Sequence, residues 1–192
     1  TASGEMSKHA LNAFLATSLS FTYDIADLCQ LYGADLSAVT KALRSDDRIG
    51  PGAYLDVSLG FSGGTLARDL KILLDKAHSA NITLPVISAV LEKNNSRRAL
   101  VLSYLERRLG TLQGKKITVF GLTYKPGTST LRRALSLEVI SLLEKRGALI
   151  RAYDPVIEKL NEEGSSSVQL CADPYDAARG SHAIIFITCW AE

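Results

Sequence analysis

Lys116-Ile117-Thr118-Val119-Phe120-Gly121 is the stretch at which this chain changes its grammar. A short β-branched and aromatic run closed by a glycine reads as a strand. Downstream, helical spacing over residues 135–146 is followed by a strand over 149–153, a possible strand over 168–170, a helix over 175–179 and a strand over 183–188. Strands that alternate with helices imply a parallel, doubly wound sheet. The boundary therefore falls near residues 111–115, with an all-helical domain over 1–112 and an α/β domain over 113–192.

Upstream, apolar residues over 5–32 recur at helical spacing (Leu11, Phe14, Leu15, Leu19, Ile25, Leu28, Leu31) with no internal proline or glycine until Gly33 supplies a stop. One unusually long helix is expected. Asp35 or Ser37 caps a second helix that carries basic residues at its end. Residues 45–64 hold Gly50-Pro51-Gly52, Gly60, Gly63 and Gly64 and read as a loop that approaches something closely. Helical periodicity resumes over 65–80, and Pro85 stands at a first helical position ahead of another long helix ending at Gly110.

The 192 residues are 46% hydrophobic, enough to fill a core and to give a soluble globular protein. Basic and acidic residues number 22 and 20, for a net charge of +2, and are interspersed. That argues against nucleic acid or a membrane surface as the main partner. No apolar run approaches the roughly 20 residues that span a bilayer, and there is no signal peptide, so a cytoplasmic location is expected. Cys29, Cys171 and Cys189 have no metal-ligand spacing and read as buried, reduced thiols. The chain opens directly into helical periodicity after Gly4 and stops just after an apolar strand, which suggests a fragment.

A doubly wound sheet binds ligands beyond the carboxyl ends of its strands, which singles out Gly121-Leu122-Thr123-Tyr124-Lys125-Pro126-Gly127 and Tyr153-Asp154-Pro155. Neither is the G-x-G-x-x-G pyrophosphate fingerprint. Lys125 is placed to meet a phosphate or carboxylate, or is a solvated lysine beside a turn. The glycines before Thr65 either bring backbone N–H groups to an anion or form an ordinary capped turn.

Taken in order, Glu5-Met6-x-Lys8-x-x-x-Asn12-Ala13-Phe14-Leu15-Ala16, Arg48-Ile49-Gly50-Pro51, Gly60-Phe61-x-Gly63-Gly64, Asp69, Gly121-Leu122-x-Tyr124-Lys125-Pro126-x-Thr128 and Tyr153-Asp154-Pro155 resemble the UDP-glucose/GDP-mannose dehydrogenase family over nearly the whole chain. Thr188-x-Trp190-x-Glu192 resembles its Thr-Glu-Trp signature. The resemblance implies a helical central dimerisation domain followed by a Rossmann-like nucleotide-sugar-binding domain, with the N-terminal NAD-binding domain absent. Such enzymes oxidise the C6 alcohol of a nucleotide sugar to a carboxylate with two NAD, through a cysteine thiohemiacetal and a thioester. A thiolate suits this because it attacks and leaves readily.

By the same resemblance, Lys8 and Asn12 match the pair that steadies developing oxyanions and the catalytic water. Asp69 matches the aspartate that orients or deprotonates that water. Arg48, Tyr54, Gly60, Phe61 and Lys125 match positions around the nucleotide sugar, and Arg132 resembles a residue near the nicotinamide cofactor. The long first helix is implied to form a homodimer.

The nucleophile departs from this pattern, since Thr65 occupies the cysteine position. Its hydroxyl is a far weaker acid than a thiol, and His9, His78 and His182 lie in helix or strand contexts, away from it. Tyr23-Asp24 replaces Asn-Glu, Arg133 replaces a glutamate, Leu135 a proline and Cys189 a glutamate. Two functions stay open: part of an NAD-dependent nucleotide-sugar 6-dehydrogenase of the UDP-glucose type, inactive by itself, and a catalytically silent nucleotide-sugar-binding or dimerisation module. Another two-domain dehydrogenase would lack the Tyr124-Lys125-Pro126 loop and the glycine run before Asp69.

Overall fold

A computed structural model describes residues 1–62, 64–160 and 167–191; Gly63 and Glu192 of the motifs above lie outside them. The chain divides into two compact units, Thr1–Asn95 and Ser96–Glu192.

In the first unit, α1 (Ala2–Tyr32) begins with the Thr1 hydroxyl accepting from the Gly4 amide at 3.3 Å and ends at Gly33. α2 (Leu36–Arg44) is capped by Asp35, whose carboxylate accepts from the Ser37 amide at 2.8 Å. α3 (Leu66–Ser79) and the first part of α4 (Pro85–Leu109) complete the unit. The four helical expectations for this half, including Pro85 at the first helical position, are borne out.

The core of this unit differs from the one periodicity suggests. Leu11, Phe14, Leu28 and Leu31 are 60%, 71%, 51% and 71% exposed. The buried stripe of α1 is Ala13, Ala16, Leu19, Ser20 and Tyr23, packed with Phe61, Ala67, Leu70 and Val90. Two apolar stripes run along α1, and the one with small residues faces inward because alanines let neighbouring helices approach closely. Ser20 donates to the Val90 carbonyl at 3.3 Å. Lys93 pairs with both Asp24 and Asp27 at 2.7 Å, tying α4 to α1.

In the second unit, β1 (Lys116–Phe120), β2 (Leu149–Tyr153), β3 (Gln169–Leu170) and β4 (Ala183–Phe186) form a parallel sheet of order β3-β2-β1-β4, with α5 (Leu135–Glu144) and α6 (Pro174–Ala178) in the connections. The doubly wound expectation is borne out. Strand alternation separates Ile117 and Val119 from Thr118. The Thr118 hydroxyl donates to the Ala177 carbonyl at 2.7 Å, which ties α6 to β1. The second half of α4 groups with the sheet, and the ion pairs Arg98–Glu138 and Arg146–Glu106 link it to α5 and to the segment after α5. Helix gives way to strand between Gly110 and Lys116.

Cys29 and Cys171 are buried as expected, but Cys189 is exposed, because it follows β4 in an irregular segment.

Ala16 has no exposed surface, so Ala16→Leu forces α1 away from its neighbours. Urea unfolding should show a loss of about 1–3 kcal/mol.

Candidate functional site

In the helical unit the candidate Asn12 meets one buried carboxylate, that of Asp69. Asp69 lies in the first turn of α3 and is fully buried. Asn12, from α1, donates its side-chain amide to Oδ2 at 2.6 Å, and Arg68 donates Nε–H to Oδ1 at 3.0 Å. His9 Nδ1 lies 3.3 Å from Oδ2. On sequence His9 was a helix residue with no part in the site; its place one turn before Asn12 puts it on the same face of α1. Lys8 is exposed and Asn12 half-buried.

Burial pushes the Asp69 carboxyl up, but the hydrogen bonds from Asn12 and Arg68 and the adjacent Arg68 and His9 outweigh it and hold the group below the usual aspartate value. Asp69 is therefore an anion at neutral pH.

Thr65 precedes α3 as its N-cap. Its carbonyl accepts from the Asp69 amide at 3.0 Å, its hydroxyl makes no cap bond, and it is exposed. It stands one helical turn before Asp69.

The segment leading to Thr65 is held from two sides, by Asn94 of α4 and Tyr23 of α1. Gly60 has φ +111°, and a Cβ there would lie 2.8 Å from Asn94 Oδ1. Asn94, fully buried on α4, accepts from the Phe61 amide at 2.7 Å and donates to the Phe61 carbonyl at 3.0 Å. The Tyr23 hydroxyl meets the Ser58 hydroxyl at 3.0 Å, and Ser58 donates to the Gly60 carbonyl at 3.1 Å. Sequence reading missed Asn94; nothing local in a mid-helix asparagine marks it. Tyr54 is 43% exposed. Arg48 is exposed and makes a bidentate pair with Asp46 at 2.9 and 2.7 Å.

In the sheet unit, a cavity of about 740 Å³ lies at the carboxyl ends of the strands, lined in part by Phe120, Tyr153, Tyr175, Phe186 and Trp190. Lys125 and Arg132 are exposed on the chain leaving β1. Buried Asp154 accepts from the Leu122 and Thr123 amides at 2.7 and 3.1 Å. These two amides are thereby committed to a side chain of the protein. Among the described residues no group of three or more His, Cys, Asp or Glu could hold a metal ion, and no helix is long and apolar enough to cross a membrane.

The class that these features define is a two-unit protein: a helical unit with a buried, hydrogen-bonded aspartate, followed in sequence by a doubly wound unit with a cavity at the carboxyl ends of its strands. Residues 2–96 match the UDP-glucose/GDP-mannose dehydrogenase family, central domain, and residues 118–192 match its UDP binding domain. The UDP-glucose 6-dehydrogenase TuaD of Bacillus subtilis is 38% identical over 99% of this chain and 41% of its own length. The UDP-glucose 6-dehydrogenase of Pseudomonas aeruginosa is 33% identical over 98% of this chain and 43% of its length. A UDP-glucose dehydrogenase structure from Pyrobaculum islandicum superposes with a TM-score of 0.86 and 30% identity, covering 96% of this chain and 43% of that one. The chain belongs to the UDP-glucose/GDP-mannose dehydrogenase family, and it spans about two-fifths of the length of these relatives.

The depressed Asp69 carboxyl contributes stability that is fully present above its unfolded value, about pH 4, and is lost as pH falls through the lower folded value. Asp69→Asn removes this dependence. The gap between wild-type and variant urea midpoints should therefore narrow from about pH 5 toward about pH 3; a constant gap would show that the charge is not what the site holds.

Proposed function

We propose that this chain is the substrate-handling part of an NAD-dependent nucleotide-sugar 6-dehydrogenase, of the type that takes UDP-glucose to UDP-glucuronate, acting in the cytoplasm. In this reading residues 1–112 serve dimerisation and the reacting centre, and residues 113–192 bind the nucleotide sugar. The observation that most supports it is the 2.6 Å bond from Asn12 to Asp69, one turn after Thr65.

Each residue has a role that its chemistry allows. Asn12 holds the Asp69 carboxylate and presents an amide donor to developing negative charge, and the Lys8 ammonium adds a positive charge on the same side of α1. Asp69, anionic, accepts a proton from water and does not donate one. Arg48, Tyr54, Gly60, Phe61 and Lys125 form the substrate contacts, with Lys125 on the diphosphate. NAD supplies the hydride acceptor and is held mainly by residues other than these, with Arg132 beside it.

Thr65 at the nucleophile position favours a second reading. A threonine hydroxyl is a far weaker acid than a thiol, so covalent capture at this position would be slow. The chain would then be a silent nucleotide-sugar-binding or dimerisation module.

Dimerisation is proposed through the outward stripe of α1. Leu11, Phe14, Ser18, Phe21, Ile25, Leu28 and Tyr32 recur at alternating three- and four-residue spacing, the pattern of a helix that packs against another. Phe14 is 71% and Phe21 48% exposed.

Calorimetric titration with UDP, UDP-glucose and GDP tests the ligand. Saturable binding of UDP and UDP-glucose that Lys125→Ala weakens about tenfold is expected, the loss for removing one charged hydrogen-bonding group. Absence of binding by all three would defeat the nucleotide-sugar reading for this chain. Sedimentation equilibrium should report a dimer that Phe14→Glu with Phe21→Glu converts to monomer, since buried unpaired charges oppose association. A wild-type monomer would overturn the dimer.

A further inference from the structure

We infer that Asp154 is the positioning residue for the loop that carries Lys125, and that its carboxylate staples together the segments leaving the carboxyl ends of β1, β2 and β4. The consequence for nucleotide affinity rests on the function proposed above; the stapling does not.

The geometry is that of a saturated buried anion. Oδ2 accepts from the Leu122 amide at 2.7 Å, the Thr123 amide at 3.1 Å and the Trp190 indole at 3.3 Å, while Oδ1 accepts from the Val156 amide at 3.1 Å. Leu122 and Thr123 follow β1, Val156 follows β2 and Trp190 follows β4. Neighbouring bonds complete the junction. The Ser136 hydroxyl donates to the Leu122 carbonyl and the Thr188 hydroxyl to the Thr123 carbonyl, so both residues are held by amide and carbonyl alike. At Gly121, φ +81°, any Cβ would collide with the Thr188 backbone, so these segments touch without a side chain between them.

Beyond this base the loop closes on itself, with the Tyr124 amide donating to the Thr130 carbonyl at 2.8 Å. Lys125 stands between these two residues and is exposed. The part of the loop that would meet ligand is thus carried on a root fixed by one carboxylate. Binding to a loop already ordered costs less conformational entropy than binding to one that must order on contact. Charge-assisted bonds to a buried anion are among the stronger ones, and losing the anion leaves several donors unpaired together.

Asp154→Asn tests this because it keeps the shape but turns an N–H₂ toward backbone or indole donors. Amide hydrogen exchange, without ligand, should accelerate about tenfold or more at Leu122 and Thr123 while Ile117 and Val119 in β1 keep their protection. Trp190 is the one tryptophan of the chain, so its emission should shift in the same variant. If Asp154→Asn does not fold, Asp154→Ser, whose hydroxyl replaces at most one acceptor, should give the same loop-selective pattern. Unchanged exchange at Leu122 and Thr123 in a folded variant overturns the inference.

Titration with UDP then separates the two claims. If the wild-type chain binds UDP and Asp154→Asn binds about tenfold more weakly, positioning is supported. Equal affinity of the two overturns positioning while the nucleotide reading stands. If the wild-type chain binds no UDP but the exchange effect is present, the stapling is supported and the nucleotide reading fails.

Discussion

A carboxylate removed from water must be surrounded by donors or give up its charge, and each unit of this chain is organised around one such group. Asp69 meets the requirement with Asn12 from α1, Arg68 from its own helix and His9 close by. Asp154 meets it with three backbone amides and an indole. In both cases the donors come from segments far apart in sequence, so satisfying the anion also fixes where those segments lie. The surroundings of Asp69 and the loop that carries Lys125 inherit their geometry from an electrostatic necessity.

The departures from the family pattern divide along the same line. Tyr23 and Asp24 were expected to depart from the family's Asn-Glu, and here Tyr23 meets Ser58 beside the Gly60 turn and Asp24 pairs with Lys93. These exchanges are compensated by contacts within the scaffold. Thr65 has no such compensation: its hydroxyl caps nothing, and the nearby anion is already committed to other donors. Tyr23 and Asp24 are thus held by partners on other segments, whereas the Thr65 hydroxyl makes no cap bond.

The Gly60-Phe61 segment shows how a tight turn is enforced from outside. Its positive φ excludes side chains, and the Asn94 amide closes on both polar groups of Phe61. An asparagine inside a helix carries no local mark of such a role, because the partner is 33 residues away. His9 was equally hidden: the sequence placed it only within a helix, and the packing of α3 against α1 reveals that it meets Asp69.

The sequence by itself determined the element types and their order. Helical spacing, the Asp35 cap, Pro85 and the β-branched run from Lys116 are local signals, and local backbone preference acts over a turn or a strand. It also carried the family likeness, since motif spacing is linear. Only the tertiary structure decided which stripe of α1 is core, because Ala13 and Ala16 and the larger Leu11 and Phe14 are all apolar and differ only in what lies opposite. It likewise decided which donors surround Asp69 and Asp154, since a buried charge is satisfied by whatever neighbours the fold brings to it, and sequence distance says nothing about that.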